Sequence, residues 1–228
     1  MYKIVKKQEL TTNIYLMEVE AKRVAKSCEP GQFVIVRVDS EGERIPLTIC
    51  DYNRETGTVT IVFQTVGAGT KLMAVLEEGD ALHDFVGPLG CPSEFVKEDI
   101  EELKNKKILF VAGGVGAAPV YPQVKWLHEH GIAADVIVGS KTKDLLILEK
   151  EMEAVAVWVV IAMGAAILIG IVGNGMTKAG NLDQLPDGET MPPVKRAMFL
   201  PVFDVLITGR FISVAFPQSD RYAFSRTP

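Results

Sequence analysis

Cysteine is scarce in this chain, which has three among its 228 residues: Cys28, Cys50 and Cys91. They are widely spaced, and no two of them form a C-x-x-C pair. A disulfide framework is therefore not expected, and neither is a four-cysteine zinc or iron–sulfur site built by this chain alone. We predict that the three thiols are small, reduced packing residues. The first residues also lack the apolar core of a secretory signal, so a cytoplasmic location is expected.

Positive charge is not in excess, and histidine is rare. The formal net charge is −5, which makes a nucleic acid an unexpected partner but leaves room for a local site for one dinucleotide. Two of the three histidines, His128 and His130, are two residues apart on a predicted helix and so point to different faces. No metal site is therefore predicted.

Residues 1–100 consist of short β-branched or alternating runs separated by turn signals such as Glu29-Pro30-Gly31. Regular short strands of this kind favour a small antiparallel β-barrel. One helical insert is expected around Gly69–Leu76. The predicted strands are Tyr2–Val5, Ile14–Val19, Gln32–Val38, Thr58–Gln64 and Ala81–Val86.

Residues 105–154 have a different pattern, which follows a charged stretch at 98–107 that is typical of a solvated helix or linker. Strand, helix, strand and helix alternate, and the strands are fully apolar. This pattern is typical of a parallel sheet covered on both faces. The predicted elements are strand Ile108–Ala112, helix Pro119–His130, strand Asp135–Val138 and helix Leu145–Ala154.

The densest chemical signal is the run from Val111 to Pro119, VAGGVGAAP, in which a buried strand leads through glycines into a helix. Glycine lets a backbone approach a diphosphate, and the N–H groups of the helix start favour negative charge. The spacing is not G-x-G-x-x-G, and a tight turn without a ligand would have the same residues. The second strand ends without an acidic residue, in Gly139–Lys143 (GSKTK), where a hydroxyl and two cations could accept a 2′-phosphate. This favours NADP over NAD but does not decide between them.

A second group of residues lies in the barrel, where Arg44 precedes a strand and Gly69-Thr70 begins the predicted helix. An arginine there can bind a diphosphate through two hydrogen bonds, and a helix start can bind an anion. Each of these features alone is more often plain strand or turn.

Taken in order, the motifs R-x-P-L-T, V-F-Q, G-A-G-T, G-P-L-G (Gly87–Gly90) and V-A-G-G-V-G-A-A-P resemble those of the ferredoxin–NADP reductase superfamily. The chain looks most like its electron-transfer subunits, namely those of dihydroorotate dehydrogenase, sulfide dehydrogenase and NADH-dependent ferredoxin:NADP oxidoreductase. The resemblance covers residues 1 to about 154. It implies an FAD-binding barrel at 1–100 and the start of an NAD(P)-binding α/β domain at 105–154.

The resemblance also implies roles for individual residues. Arg44, with Gly69 and Thr70, would hold the FAD diphosphate. The isoalloxazine would be lined by Pro46, Leu47 and Thr48, and the ribityl and adenine side by Val62, Phe63 and Gln64. The nicotinamide nucleotide would be received by Gly113, Gly114, Val115, Gly116, Ala117 and Ala118. The residue pattern adds Pro119, which completes that run, and Ser140 and Lys141 at the end of the next strand as candidate nucleotide-binding residues.

The chemistry implied is hydride transfer from NAD(P)H to FAD, followed by electron transfer to a partner such as ferredoxin or a larger catalytic or flavin/iron–sulfur subunit. The cofactors carry that chemistry, so no protein side chain is assigned as catalytic.

The chain departs from this pattern after residue 154. Such subunits continue with further strands and a cysteine-rich segment for a [2Fe–2S] cluster, yet no cysteine follows Cys91, so no cluster ligands are expected in this chain. Residues 154–173 contain no charged residue and are long enough to cross a bilayer. Residues 155–228 are then a sequence error, a divergent folded replacement or, least favoured, a membrane anchor. The alternative function is accordingly a truncated or frameshifted homologue that binds flavin or a partner without turnover.

Overall fold

The computed structural model of the protein describes residues 1–163 and 212–217. The first part is a seven-stranded antiparallel sheet with the strand order β6-β1-β2-β5-β4-β3-β7. Its strands are β1 (Tyr2–Thr11), β2 (Ile14–Glu20), β3 (Phe33–Arg37), β4 (Ile45–Asn53), β5 (Thr58–Gln64), β6 (Ala81–Leu82) and β7 (Asp84–Leu89).

The two edges of this sheet meet at His83, the single residue between β6 and β7. β6 pairs with β1 at one edge, and β7 pairs with β3 at the other. The His83 amide donates to the Arg37 carbonyl at 2.9 Å, which fastens the junction. Because one continuous chain segment forms both edges, the sheet curls into a nearly closed barrel. The predicted antiparallel barrel is confirmed.

The barrel interior is filled by side chains that alternate along the strands. In β3, for example, Val34 and Val36 are fully buried while Phe33, Ile35 and Arg37 are partly exposed, as a period of two requires. Helix α1 (Lys22–Ser27), which the sequence did not predict, adds Val24 and Ala25 to this core. Helix α2 (Ala68–Val75) is the predicted insert and adds Met73.

A short connection joins the barrel to the second part of the chain. It contains a 3-10 turn at Glu94–Lys97 and helix α3 (Ile100–Lys104). Asp99 caps α3 by accepting hydrogen bonds from the amides of Glu101 and Glu102, and Leu103 is the one buried residue of the helix. The solvated helix expected in the charged stretch is therefore present.

The second part is a four-stranded sheet with the order β10-β9-β8-β11. β8, β9 and β10 are parallel, and β11 is antiparallel to β8. The α/β pattern predicted from the sequence is confirmed, with helix and strand alternating. The elements are β8 (Lys106–Gly113), a 3-10 turn (Gly114–Gly116), α4 (Ala117–Glu129), β9 (Ala134–Ser140), α5 (Glu149–Val155), β10 (Trp158–Met163) and β11 (Ile212–Pro217).

A third parallel strand, which was not recognisable from the sequence, is β10. It pairs with β9 from Trp158 opposite Asp135 to Met163 opposite Ser140. It lies within the charge-free run at 154–173, so this part of the run belongs to the sheet. In the described ranges, no helix is long and apolar enough to cross a membrane. The alternatives for residues 155–228 mostly concern 164–211 and 218–228, which lie outside the described residues.

Candidate functional site

The barrel and the α/β part meet in one apolar cluster. Ile14, Cys50 and Val62 of the barrel pack there with buried residues of β8 and α4, among them Phe110 and Ala117. α4 lies against β4, the strand that carries the R-x-P-L-T motif. The glycine turn thus leads into the helix that packs against the strand carrying the R-x-P-L-T motif.

β4 presents its predicted flavin residues on two different faces. Arg44, just before the strand, and Pro46 are exposed, and Thr48 on the same face is half-buried. Leu47 points to the opposite face and packs against the barrel core. A ligand over β4 would therefore meet the side chains of Pro46 and Thr48 but only the backbone of Leu47.

The three predicted residues of β5 also point to two different faces of their strand. Val62 lies in the apolar cluster between the two parts, and Gln64 is exposed. Phe63, between them, points into the barrel and stacks on Tyr15 with ring centroids 5.8 Å apart. Of these three side chains, Gln64 is the one that a ligand outside the barrel can reach, because Val62 is buried against the α/β part.

The start of α2 has the geometry of an anion site. The Thr70 hydroxyl accepts hydrogen bonds from the amides of Val66 and Gly67 at 3.1 and 3.0 Å, so this side chain shapes the turn rather than facing solvent. The Gly69 amide donates to the Glu43 carboxylate at 2.8 Å. A Cβ at position 69 would collide with that carboxylate and would come within 2.8 Å of Ile45 Cδ1. The Gly69 amide thus already donates to an anionic oxygen, as the amides at a phosphate-binding helix start do.

The glycine turn lies at the carboxyl end of β8. Gly114 has a φ of +53°, a backbone conformation that favours glycine, and the next residues turn into α4. Ideal Cβ atoms at Gly114 or Gly116 would have no described neighbour within 4 Å, so the space beside this backbone is open. Gly113 is exposed and Val115 is half-buried, whereas Ala117, Ala118 and Pro119 are buried against the sheet.

The end of β9 lies at the same edge, because Gly113 and Gly139 are paired in the parallel register. The Ser140 hydroxyl donates to the Thr142 carbonyl, while Lys141 is exposed. The loop that follows contacts the barrel through the Thr11 hydroxyl, which donates to the Asp144 carbonyl at 2.6 Å. Adjacent strand ends of this kind are where open α/β sheets bind ligands.

Sequence reasoning missed the polar contacts that hold α4 against the connection and against the barrel. Gln123 is fully buried, accepts a hydrogen bond from the Ser93 hydroxyl at 2.9 Å and donates to the Pro119 carbonyl at 2.9 Å. Lys125, about half a turn further along α4, forms an ion pair with Asp51 at 2.7 Å. A polar glutamine in an otherwise apolar helical face was the available signal.

A cleft of about 720 Å³ lies near the carboxyl end of α4, lined by Asp51, Tyr52, Arg54, Lys125, Trp126 and His130 among others. None of the residues predicted to bind a cofactor lines it. Four of its charged side chains already form two ion pairs, Lys125 with Asp51 and Arg54 with Glu29. We therefore place the candidate site at the glycine turn and α2, and not in this cleft.

Comparison with known proteins identifies the family. A protein of Clostridium beijerinckii, described as an uncharacterized protein in the adh 3′ region, is 69% identical over 156 residues, which are 68% of this chain and 53% of that protein. The dihydroorotate dehydrogenase B (NAD(+)) electron transfer subunit of Streptococcus mutans is 32% identical over 186 residues, 81% of this chain and 69% of that subunit. The chain belongs to the family of these electron transfer subunits. No family model matches the sequence.

The solved structures agree with this assignment. An NADH-dependent reduced ferredoxin-NADP oxidoreductase is 33% identical, with a TM-score of 0.67 over 78% of this chain and 64% of that chain. The resemblance to the ferredoxin–NADP reductase superfamily is thereby confirmed. The chain spans little more than half the length of the Clostridium relative and less than two thirds of this solved chain.

Proposed function

We propose that this chain is an FAD-containing electron-transfer subunit that moves electrons between NAD(P)H and a partner protein. The observation that carries the proposal is the presence of two phosphate-type cradles, one in the barrel and one in the α/β part. One is the α2 start, where the Gly69 amide already binds a carboxylate. The other is the glycine turn of β8, which faces open space. Two dinucleotides that exchange electrons need two such cradles.

The FAD half of the site would use residues of β4, β5 and α2. Arg44 is exposed beside the α2 start and can bind the diphosphate with a charge-assisted, bidentate contact. Pro46 and Thr48 present the face on which a ring can lie, and Val62 and Gln64 belong to β5, a strand that pairs with β4. When bound, FAD would accept a hydride and release electrons singly or in pairs.

The nucleotide half of the site would use the backbone of residues 113–119, with Ser140 and Lys141 at the neighbouring strand end. Gly113, Gly114 and Gly116 let the backbone approach a diphosphate, and the α4 start favours its negative charge. No acidic residue ends β9, and Lys141 is exposed there, which supports NADPH over NADH as the donor. The chain's own part in the reaction is to bind and orient the two cofactors.

The partner follows from the family. The Streptococcus relative is the electron transfer subunit of a dihydroorotate dehydrogenase, so the partner proposed here is a larger catalytic or flavin/iron–sulfur subunit, or ferredoxin. A second candidate is a homologue that binds flavin or a partner without turnover. This second candidate is favoured because the match to the Clostridium relative covers only 68% of this chain.

The visible spectrum of the purified full chain tests the proposal. We expect a yellow protein, as isolated or after reconstitution with FAD, that is bleached by anaerobic NADPH or NADH.

Arg44→Ala should weaken FAD binding by roughly 10-fold, the equivalent of one charge-assisted hydrogen bond. The control is Arg23→Ala, which removes the same charge from an exposed position on α1. A yellow protein that neither nucleotide bleaches would support the second candidate. A colourless protein that cannot be reconstituted would overturn the proposal.

A further inference from the structure

Glu43 makes a contact that the proposed flavin site does not need. It is an exposed residue in the loop between β3 and β4, and no acidic residue lies in the first turn of α2 itself. Its carboxylate nevertheless accepts a hydrogen bond from the Gly69 amide at 2.8 Å, across 26 positions of sequence. The start of α2 is therefore capped by a side chain from a distant loop.

This contact uses the space that a bound anion would need. Gly69 is buried, and even one extra carbon there would collide with the Glu43 carboxylate. The backbone amide of Gly69 has one hydrogen, so a carboxylate and a phosphate oxygen cannot both accept it in good geometry. A diphosphate also carries negative charge, which the carboxylate would repel at this distance.

We propose that Glu43 is a displaceable cap that competes with the flavin diphosphate for the start of α2. The inference rests on the function proposed above. In the flavin-free protein Glu43 satisfies the Gly69 amide, and on binding it turns away into solvent. Arg44, the next residue, then binds the diphosphate. One dipeptide thus carries both the group that stabilises the empty site and the group that holds the ligand.

The loop that carries Glu43 is suited to such a movement. Residues 38–44 form a series of bends without helix or strand. Asp39 organises the middle of the loop, where its carboxylate accepts from the Glu41 amide at 2.9 Å and its carbonyl from the Gly42 amide at 3.4 Å. These contacts do not involve the Glu43 side chain, so it can leave α2 without breaking them.

Removing the Glu43 carboxylate should have opposite effects on the stability of the flavin-free protein and on its affinity for FAD. Glu43→Ala should lower the melting temperature of the flavin-free protein, because the helix loses its cap. The same variant should bind FAD more tightly by roughly 3- to 10-fold, since the loss of a helix cap is worth about that factor. Glu43→Gln, which keeps an acceptor oxygen but loses the charge, should lie between wild type and Glu43→Ala.

Two further variants test whether the effect of Glu43 depends on its contact with Gly69 or only on its negative charge. Glu41→Gln removes one negative charge from the same loop at an exposed position that does not contact α2, so it should leave both readouts unchanged. Glu43→Asp keeps the charge but shortens the side chain by one methylene, so it should behave like Glu43→Ala. The measurements are melting of flavin-free protein and the dissociation constant of FAD from quenching of flavin fluorescence.

Each outcome is decisive. If Glu43→Ala binds FAD with wild-type or lower affinity, or if its flavin-free melting temperature equals that of wild type, the cap is disproved while the proposed function stands. If neither wild type nor any variant binds FAD, the proposed function falls together with the cap. If wild type fails to bind FAD but Glu43→Ala binds it, the cap is supported while the function proposed for the native chain falls.

Discussion

The Asp51 carboxylate on β4 lies 2.7 Å from the Lys125 ammonium on α4, and each side chain is 29% exposed. The pairing register of β4 with β5 shifts between Ile49 and Asp51, which marks a bulge at Cys50. Bulges redirect side chains, and here Ile49 packs into the barrel core while the adjacent Cys50 packs into the cluster shared with α4. The bulge thus aims Cys50 and Asp51 at the helix that follows the glycine turn.

Breaking this ion pair should destabilise the contact between the two parts. Lys125→Met keeps an apolar stem but leaves the half-buried Asp51 carboxylate without its partner. We expect a loss of about 1 kcal/mol in the free energy of unfolding, because the pair is partly solvent-screened. Urea unfolding measures it, with Lys150→Met on the exposed face of α5 as control. In a double-mutant cycle with Asp51→Asn, a coupling energy of zero would show that the pair contributes nothing.

Asp84 lies at the junction of β6 and β7, where the two edges of the barrel sheet meet. We expect it to make a contribution to stability that is lost in acid. Asp84 contacts Arg37 Nε at 2.8 Å and His83 Nδ1 at 2.9 Å. Partial desolvation raises the pKa of Asp84, but the hydrogen bond from His83 and the charge of Arg37 outweigh it, so the pKa lies below its usual value. A carboxyl with a lowered folded pKa stabilises the protein above its unfolded pKa, about 3.9, and this contribution is lost as the pH falls through the folded value.

Asp84→Asn should therefore lower the melting temperature at pH 7, and the difference from wild type should shrink as the pH falls below about 4. Glu55→Gln is the control, since Glu55 is an exposed carboxylate in the turn between β4 and β5. A difference that is constant from pH 7 to pH 3 would show that the effect of Asp84 is steric and not due to its charge.

Local patterns were sufficient for much of the fold. β5 was predicted to the residue, because Thr58–Gln64 is a β-branched run between clear turn signals. The strands β8 and β9 were found because short, fully apolar runs that lead into glycines are typical of buried parallel strands. α1 was missed because it has only six residues and buries only Val24 and Ala25. β10 was missed because a long apolar run has neither helical nor strand periodicity.

In the candidate site, too, some features could be predicted from local sequence and others could not. The positions of Arg44, Gly69 and the glycine turn follow from their motifs, although their ligands stay a prediction. The orientation of Leu47 and Phe63 toward the barrel core depends on strand alternation, which a motif does not include. Glu43 and Gln123 act through partners 26 and 30 positions away, so no local pattern could reveal those partners, although a glutamine in an apolar helical face marks Gln123 as unusual.

The cysteines should differ sharply in reactivity. Burial raises the pKa of the Cys28 thiol to about 12, and burial also raises the pKa of Cys50, while Cys91 is exposed. Because the thiolate is the reactive form, an aromatic disulfide reagent at pH 8 should modify one thiol quickly and all three only after denaturation. Cys91→Ser should abolish the fast phase. Two fast thiols in the native protein would mean that a buried cysteine becomes accessible by local opening.

Substitutions at Gly114, which is half-buried, and at Gly116, which is buried, separate a requirement of the backbone from a requirement of the ligand. Gly114 has a φ of +53°, so Gly114→Ala should lower the free energy of unfolding by about 1 kcal/mol. Gly116 has a φ of −64°, and a methyl group there would meet no described atom within 4 Å.

Gly116→Ala should therefore leave the melting temperature and FAD affinity near wild type. It should nevertheless weaken NAD(P)H binding by roughly 10-fold or more, because the methyl group would occupy the space in which a diphosphate approaches the backbone. Equilibrium titration of the oxidised protein with both nucleotides measures this change. An unchanged nucleotide affinity in Gly116→Ala would show that the nucleotide binds away from this turn, because the added methyl group would then not contact it.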